Sequence, residues 1–353
     1  MRVLITGGAG FVGSSIALRL RRDHDWTVIA LDNLKRRGSA LALSRLGRGG
    51  VTFAHGDIRN PEDLDAVGPI DLIIECSAEP SVRAGYDGNP RYLVNTNLIG
   101  TFNCLEFARH HHAATIFISS SRVYSIAALR ALPLVATDTR FELQSGASGP
   151  GWSSRGISEA FSTAGSRSLY GTTKLASELL VEEYGAMYGI PTIVNRCGVI
   201  TGPWQMGKVD QGFFVLWVAR HLYGGALSYT GFDGNGFQVR DLLHVDDLYS
   251  LLHRQIRNVE TLAGRTFNAG GGPACNVSLR ELTAMCERQI GRKIDIQSNP
   301  STRPDDIAYY VSDNALVNQQ TGWSPSYSGE NILHEVVNWL NEYRADLEPI
   351  FCS

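Results

Sequence analysis

Tyr170-Gly-Thr-Thr-Lys174 sets a phenol and an ammonium four residues apart. On a helix, positions i and i+4 share a face, one turn apart. A free tyrosine ionises near ~10 and is useless as a base at neutral pH. A neighbouring positive charge favours the phenolate. Lowering the phenol by about three pH units requires roughly 4 kcal/mol of differential interaction. A tyrosine moved that far serves as a general base for an alcohol. The Y-x-x-x-K pair alone is equally what a surface helix carries, so it needs partners elsewhere in the chain. Thr115 to Ile118 reads as a strand, and it runs into Ser119-Ser-Ser-Arg-Val-Tyr124, where a hydroxyl is placed to orient the same alcohol.

The elements that must position this pair begin at the first residue. Arg2-Val-Leu-Ile-Thr6 is a short apolar run with β-branched residues, and Gly7-Gly-Ala-Gly-Phe-Val-Gly13 follows directly. Ser14 to Arg22 then carries Ile16, Ala17 and Leu20 at helical spacing. Strand, glycine turn and helix together offer unpaired N–H groups at a helix N-terminus, the positive end of its dipole, and a backbone that a pyrophosphate can approach. Gly7, Gly10, Phe11, Val12 and Gly13 are the candidates for that cradle. A bare glycine motif also marks tight turns in any α/β domain. Here Thr27 to Leu31 forms a second apolar run closed by Asp32, placed to accept from the adenosine ribose hydroxyls. A carboxylate repels a 2′-phosphate, so Asp32 favours NAD over NADP, although Lys35, Arg36 and Arg37 nearby would soften that preference.

Val51 to Ala54 reads as a third strand, followed by Asp57, which could reach an adenine amino group. Asp71 to Glu75 is a fourth, ending in Cys76-Ser77-Ala78-Glu79, whose small residues would let the backbone pass close to the cofactor. Tyr92 to Arg109 is predicted helical. Asn97 inside it has poor helix propensity, so its side chain is expected to hold neighbouring strands. Successive strand–helix units imply an α/β fold, a Rossmann-type doubly wound parallel sheet with ligands at the carboxyl ends of its strands.

Gly146 to Ser166 is rich in Ser, Gly and Pro and is expected to form a loop over the site. Tyr170 to Tyr188 is predicted as a helix and Pro191 to Arg196 as the sixth strand. After Gly202-Pro203 the alternation fades into a hydrophobic run at Phe213 to Leu222, a strand entering a helix at Gln238 to Leu251, and amphipathic helices at Leu279 to Ile290 and Asn331 to Tyr343. We therefore divide the chain into an NAD-binding Rossmann domain, 1–197, to which 236–264 returns, and a smaller, mainly substrate-binding C-terminal domain, 198–353.

Composition excludes other classes. A formal net charge of −3 on 353 residues leaves no nucleic-acid footprint. Six cysteines show no C-x-x-C spacing, which argues against zinc or a redox pair and for reduced thiols in the cytoplasm. His110 to His112 read as residues at a helix C-terminus rather than ligands, so no metal is expected. No apolar stretch approaches the ~20 residues of a membrane span.

The motifs TGGAGFVG, LDN, GDI, NTNLIGT, SSSRVY and YGTTK, taken together, resemble an extended short-chain dehydrogenase/reductase of the nucleotide-sugar epimerase/dehydratase kind, over nearly the whole chain. The resemblance implies bound NAD. It selects Ser120, three places before Val123, as the catalytic hydroxyl beside Tyr170 and Lys174. It adds Asn33, Ile58, Ser77, Ala78 and Asn97, with Tyr170 and Lys174 themselves, to the cofactor contacts. Ser125 stands where the family usually has Gly. Dehydratases of the family place Asp-Glu directly after the catalytic residue. Ser121 and Arg122 stand there instead, which disfavours 4,6-dehydration unless Glu159 substitutes from the loop.

Three further stretches are similar to the family's 2-epimerases of the CDP-tyvelose (CDP-paratose) type: Gly156-Ile-Ser-Glu159 with Ser166 to Tyr170, Arg196-Cys-Gly198 with Gly202-Pro-Trp-Gln205 and Asp210-Gln-Gly212, and Gly234 to Asp241. Four-epimerases usually carry Asn where Gly198 stands, so Gly198 is expected to leave room near the sugar. The resemblance directs Ser81, Arg122, Gln211, Arg240 and Arg303 to a nucleotide-diphosphate sugar, with guanidinium forks suited to the diphosphate. The implied reaction inverts C2 of an NDP-hexose by transient oxidation. The alternatives are a UDP- or GDP-hexose 4-epimerase and a non-catalytic NAD-binding regulator. A homodimer or homotetramer is implied, paired through the helices 92–109 and 170–188, with Val94, Leu98, Leu105, Leu175 and Leu179 offering apolar contact.

Overall fold

The computed structural model describes residues 1–86, 88–207 and 211–352. Seven strands build the central sheet: β1 (Arg2–Thr6), β2 (Thr27–Asp32), β3 (Thr52–His55), β4 (Leu72–Glu75), β5 (Ala114–Ser120), β6 (Thr192–Cys197) and β7 (Arg265–Ala269), in the order β7-β6-β5-β4-β1-β2-β3. Every pairing is parallel. The chain winds outward from β1 in one direction through β3, then restarts on the other side at β4. The crevice between β1 and β4 is the topological switch point, where open α/β sheets bind ligands. Thr6 is in register with Glu75, and Ser120 with Cys197, so the ends of β1, β4, β5 and β6 meet at one edge.

Sequence periodicity accounts for these strands. Val3, Leu4 and Ile5, like Leu72, Ile73 and Ile74, are buried on both faces, as parallel strands covered by helices must be. Helix α1 (Phe11–Asp23) lays Ile16, Ala17 and Leu20 on one face of the sheet. Helix α2 (Gly100–His111) and helix α3 (Leu169–Tyr188) cover the other. Ser168 caps α3 by accepting the Gly171 N–H, and Gly189 ends it with φ of 68°.

The predicted helix 92–109 is interrupted. Residues Asn95–Ile99 form a π turn between Arg91–Val94 and α2. Such widened turns place side chains that regular helix would turn elsewhere. The Asn97 side chain does not hold strands together. Its oxygen accepts the Glu79 N–H at 2.7 Å, and its nitrogen donates to the Glu79 carbonyl at 3.1 Å.

Beyond β6 a second core forms from helix α4 (Phe213–Tyr223) and the helices Leu279–Ile290 and Gly329–Glu342, with Phe214, Trp217, Leu282, Leu333 and Trp339 buried among them. The return to the first core runs further than 264. Helix α5 (Val245–Arg257) packs on α1, β7 adds the seventh strand, and Trp323 from a later segment donates its indole N–H to Asp247 and Ser250.

The segment 146–166 is not a loop over the site. Trp152–Ser153 pairs with Gly156–Ile157, Ile157 bonds to the Val311 backbone, and Ile157 and Phe161 are buried against Tyr124 and Tyr310. Of the apolar residues named for subunit contact, Leu179 is the one left exposed. Leu105 is fully buried, Leu175 packs beside the Tyr124 cluster, and Val94 and Leu98 are half-buried. The exposed large apolar side chains on these helices are Ile99, Phe102, Leu169, Leu179, Met187 and Tyr188.

Candidate active site

The glycine turn fits a dinucleotide on its own geometry. Gly7 sits at φ of 63°, and a Cβ on Gly13 would stand 2.3 Å from the Gly7 carbonyl oxygen. Only glycine lets α1 begin so close to the turn. Gly10 precedes α1 without a side-chain cap, so the first N–H groups of the helix have no side chain to satisfy them. At the end of β2 the Asp32 carboxylate accepts the Ala9 N–H at 3.1 Å and the Leu34 N–H at 2.7 Å. Burial pushes this carboxyl upward, and the backbone donors oppose it. Asp32 therefore ties the turn to β2.

Two residues further out are already engaged. Asp57 accepts from Arg59 at 2.9 and 2.6 Å and from Asn33 at 2.8 Å. Burial works to raise its pKa, but these bonds outweigh that and hold it at about 2. Its carboxylate serves this internal pair rather than standing open to an adenine amino group. Ile58 is buried in the core against Gly100, where a Cβ would meet its Cδ1 at 2.4 Å.

A single cavity of about 600 Å³ runs from Phe11, Val12, Cys76 and Ala78 past Ser120, Tyr170 and Lys174 to Gln211, Arg240 and Arg303. Arg122 lines it too and donates to the Asp305 carbonyl at 3.1 Å. Ser77 and Ser81 do not line it. Ser81 Oγ instead accepts the Arg83 N–H at 3.2 Å, while its neighbours Pro80, Val82 and Arg83 form the wall.

Ser120 ends β5, and the chain then turns through a short 3-10 segment, Ser121–Val123. Ser120 Oγ accepts the Arg122 N–H at 3.2 Å, and its hydroxyl acts to lower the Tyr170 pKa. Burial raises the Tyr170 pKa, and the Ser120 hydroxyl and the Arg122 charge oppose it without prevailing. The residues around it leave the phenol above its ordinary value rather than below it. Lys174, 3% exposed, donates to the Ile118 carbonyl at 2.8 Å. Burial lowers its pKa, and Glu75 is the largest opposing influence.

At the far end, Arg240 donates to Asp306 at 3.0 Å and to the Ile307 carbonyl at 2.7 Å. Desolvation draws its pKa to about 10. Arg303 has no side-chain ion pair or hydrogen bond among the described residues; its carbonyl accepts from Arg130 and from the Asp306 N–H. Asp210, in one of the motifs above, lies outside the described residues.

Glu159 does not enter the cavity and accepts the Asn268 N–H at 2.6 Å, so it supplies no acid to the reacting end. Sequence reasoning missed Asp305 and Asp306 on the wall, because neither belongs to a recognisable motif. It also missed Glu75, whose signal was an acid closing an otherwise apolar buried strand.

A glycine cradle at the β1–β4 switch point, with Ser120, Tyr170 and Lys174 beside it, defines an NAD-dependent enzyme of the extended short-chain dehydrogenase/reductase type. The family model described as "NAD dependent epimerase/dehydratase family" matches residues 3–270, and the chain belongs to that family, whose cofactor is NAD. Among relatives, it is 30% identical to CDP-paratose 2-epimerase of Salmonella typhi, over 97% of this chain and 99% of that one. The dTDP-glucose 4,6-dehydratase of Streptomyces venezuelae, solved with NAD, superposes with a TM-score of 0.80 at 26% identity, covering 99% of this chain and 100% of that one. The UDP-glucuronic acid 4-epimerase of Bacillus cereus shares the fold, with a TM-score of 0.80 at 23% identity, covering 97% and 99% of the two chains. No described helix is long and apolar enough to cross a membrane.

Proposed function

We propose that this enzyme inverts C2 of a nucleotide-diphosphate hexose of the CDP-paratose/CDP-tyvelose kind. One observation carries the reading: a single cavity joins the Ser120–Tyr170–Lys174 group to the guanidinium groups of Arg122, Arg240 and Arg303. The first set suits an alcohol and the second a diphosphate. The 30% identity to a CDP-paratose 2-epimerase across 97% of the chain supports C2.

Tyr170 takes the proton of the ring hydroxyl, which Ser120 orients. NAD, held by the glycine turn and Asp32, would supply the hydride acceptor for the carbon bearing that hydroxyl. Lys174 provides positive charge one helical turn from the phenol. The guanidinium groups keep the diphosphate anchored while the keto ring turns, so that the hydride would return to the opposite face of the ring carbon, and Tyr170 gives the proton back to its oxygen. Ser121 and Arg122, following Ser120, hold no exchangeable acid for expelling a C6 hydroxyl, since arginine stays protonated. The cofactor's net redox change is zero, so NAD is expected to stay bound.

The test is incubation with CDP-, UDP-, GDP- and ADP-hexoses in deuterated buffer, followed by NMR of the ring carbons. Inversion at C2 of a CDP-hexose is expected. Inversion at C4 of a UDP-hexose, the reading that the Bacillus cereus neighbour favours, or a 4-keto-6-deoxy product would overturn it. We further propose a homo-oligomer that covers the exposed face of Ile99, Phe102, Leu179, Met187 and Tyr188.

A further inference from the structure

Glu75 closes β4 inside the protein and is fully buried. Its register partner in β5 is Phe117. Lys174 Nζ stands 4.3 Å from the centroid of that same ring. Glu75 thus lies beside the residue over which the ammonium is held. One carboxylate oxygen lies 2.6 Å from the Thr101 hydroxyl. The other, Oε2, is buried and has no hydrogen-bond partner among the described residues.

A buried carboxylate oxygen with no donor is costly unless a cation faces it. The cation acting on it is Lys174. Burial lifts the Glu75 carboxyl to about 7, and the Lys174 charge and the Thr101 hydroxyl oppose that rise, so the acid is a carboxylate above neutral pH. The same attraction supports the lysine charge against its own burial. The other titratable groups facing Glu75 are the thiols of Cys76 and Cys104, both pushed up by burial and so neutral. Lys174 also faces Cys76, Cys197 and Glu178, but Glu75 acts on it most strongly.

The surrounding elements hold this arrangement. The π turn Asn95–Ile99 leads directly into Thr101, whose hydroxyl also lies 2.8 Å from the Asn97 carbonyl. Ser177 of α3 donates to that same carbonyl at 2.8 Å, which locks α3 to the turn. Glu75 does not line the cavity, so it acts through Lys174 and not on the reacting atoms.

We propose that Glu75 is a positioning residue whose carboxylate keeps Lys174 an ammonium in its buried site and, through Lys174, keeps the Tyr170 phenolate accessible. The proposal rests on the reading of Tyr170 as the general base. Burial favours the neutral amine, and an uncharged Lys174 gives the phenolate no support one turn away. The charge of Glu75 restores that support from the side away from the cavity.

The test follows phenolate absorbance in the near ultraviolet during pH titration of the NAD-loaded protein, which requires no substrate. Subtracting Tyr170→Phe isolates the Tyr170 transition. In Glu75→Gln, which keeps the shape and loses the charge, that transition moves to higher pH by at least about one unit. Glu75→Asp stays near the wild type. Thr101→Val leaves the charge but strips its hydroxyl partner, and moves the transition the same way by less; it answers the question if Glu75→Gln fails to fold. A transition that is unmoved or lowered in both Glu75→Gln and Thr101→Val overturns the role of Glu75 and leaves Tyr170 as base intact. A difference spectrum without any Tyr170 transition below the ordinary tyrosine range overturns both readings.

Discussion

Gly198 faces the carboxylate of Asp241: a Cβ built on Gly198 would stand 2.3 Å from Asp241 Oδ1. Gly198 lines the cavity, but a side chain built there would run into Asp241. The space is filled from behind by a buried acid on the strand Val239–His244. Asp241 in turn accepts the Ser312 N–H at 3.1 Å and ties a distant segment to the mouth of β6.

Gly198→Ala is accordingly expected to destabilise the protein by about 1–3 kcal/mol, the usual cost of overpacking a filled interior. Asp241→Ala in the same chain should remove most of that increment, because it empties the space the methyl needs. Urea unfolding of the two single variants and the double variant measures the coupling. Strict additivity would show that the Gly198–Asp241 contact is not what limits the position.

The same carboxyl gives a pH dependence. Burial raises Asp241 from 3.8 to about 6, against its hydrogen bonds to Ser312 and Gly272. The folded value lies above the unfolded one, so the native state binds the proton more tightly between about pH 4 and 6. Stability referred to this group is highest at the acid end and falls as pH rises through that window, by roughly 3 kcal/mol. Asp241→Asn should lack this slope. Comparing unfolding free energies of the two proteins at several pH values isolates it from the other carboxyls. Parallel curves would mean that Asp241 titrates normally.

Tyr170→Phe should fold and retain NAD while losing turnover by at least about a hundredfold, the scale of general acid–base catalysis. Retained cofactor is measured by heating the purified protein and assaying the released dinucleotide. Turnover close to that of the wild type would take Tyr170 out of the mechanism.

Asp32 is expected to set the cofactor preference. Asp32→Ala removes the repulsion toward a 2′-phosphate, and it also frees the Ala9 and Leu34 N–H groups that the carboxylate now holds. The ratio of NAD to NADP affinity should narrow by about tenfold or more, the scale of one charge-assisted hydrogen bond. NADP recovered from the purified native protein would contradict this reading.

What could be read in advance follows how local each signal is. The glycine turn, Asp32 and the Tyr170–Lys174 pair are set by neighbours a few residues away, and all stand at the edge the strand order implies. The engagement of Arg240 with Asp306 spans 66 residues, and that of Glu159 with Asn268 spans 109. No periodicity encodes such pairings. Strand β7 escaped because it follows an excursion through the second core, and Arg265–Ala269 breaks its apolar residues with Asn268 instead of forming a continuous apolar run. The segment 146–166 misled by composition. Its glycines serve tight packing, as at Gly151, where a Cβ would meet the Phe161 backbone at 2.2 Å.

The apolar face of α2 and α3 gives the last prediction. Phe102 is 42% exposed, Leu179 57% and Met187 68%. Scattered apolar side chains on a surface need no explanation, but these sit on two helices that pack side by side. Between them Glu106 and Arg109 pair at 2.8 Å, and the Tyr184 hydroxyl donates to Glu106 at 2.6 Å, so these groups already satisfy one another. A second copy covering this face would bury aromatic and aliphatic area, with exposed Glu183 between Leu179 and Met187 left to meet a donor of that copy. Burying each large side chain contributes on the order of 1.5–3 kcal/mol. A carboxylate placed at the centre should cost more than the remaining contacts supply. We therefore expect the native protein to be a dimer or tetramer by light scattering at micromolar concentration, and Leu179→Glu combined with Phe102→Glu to be monomeric. Neither residue lines the cavity, so the double variant should still hold NAD, as measured by heat release. A native monomer, or a double variant that assembles as before, would place any subunit contact elsewhere.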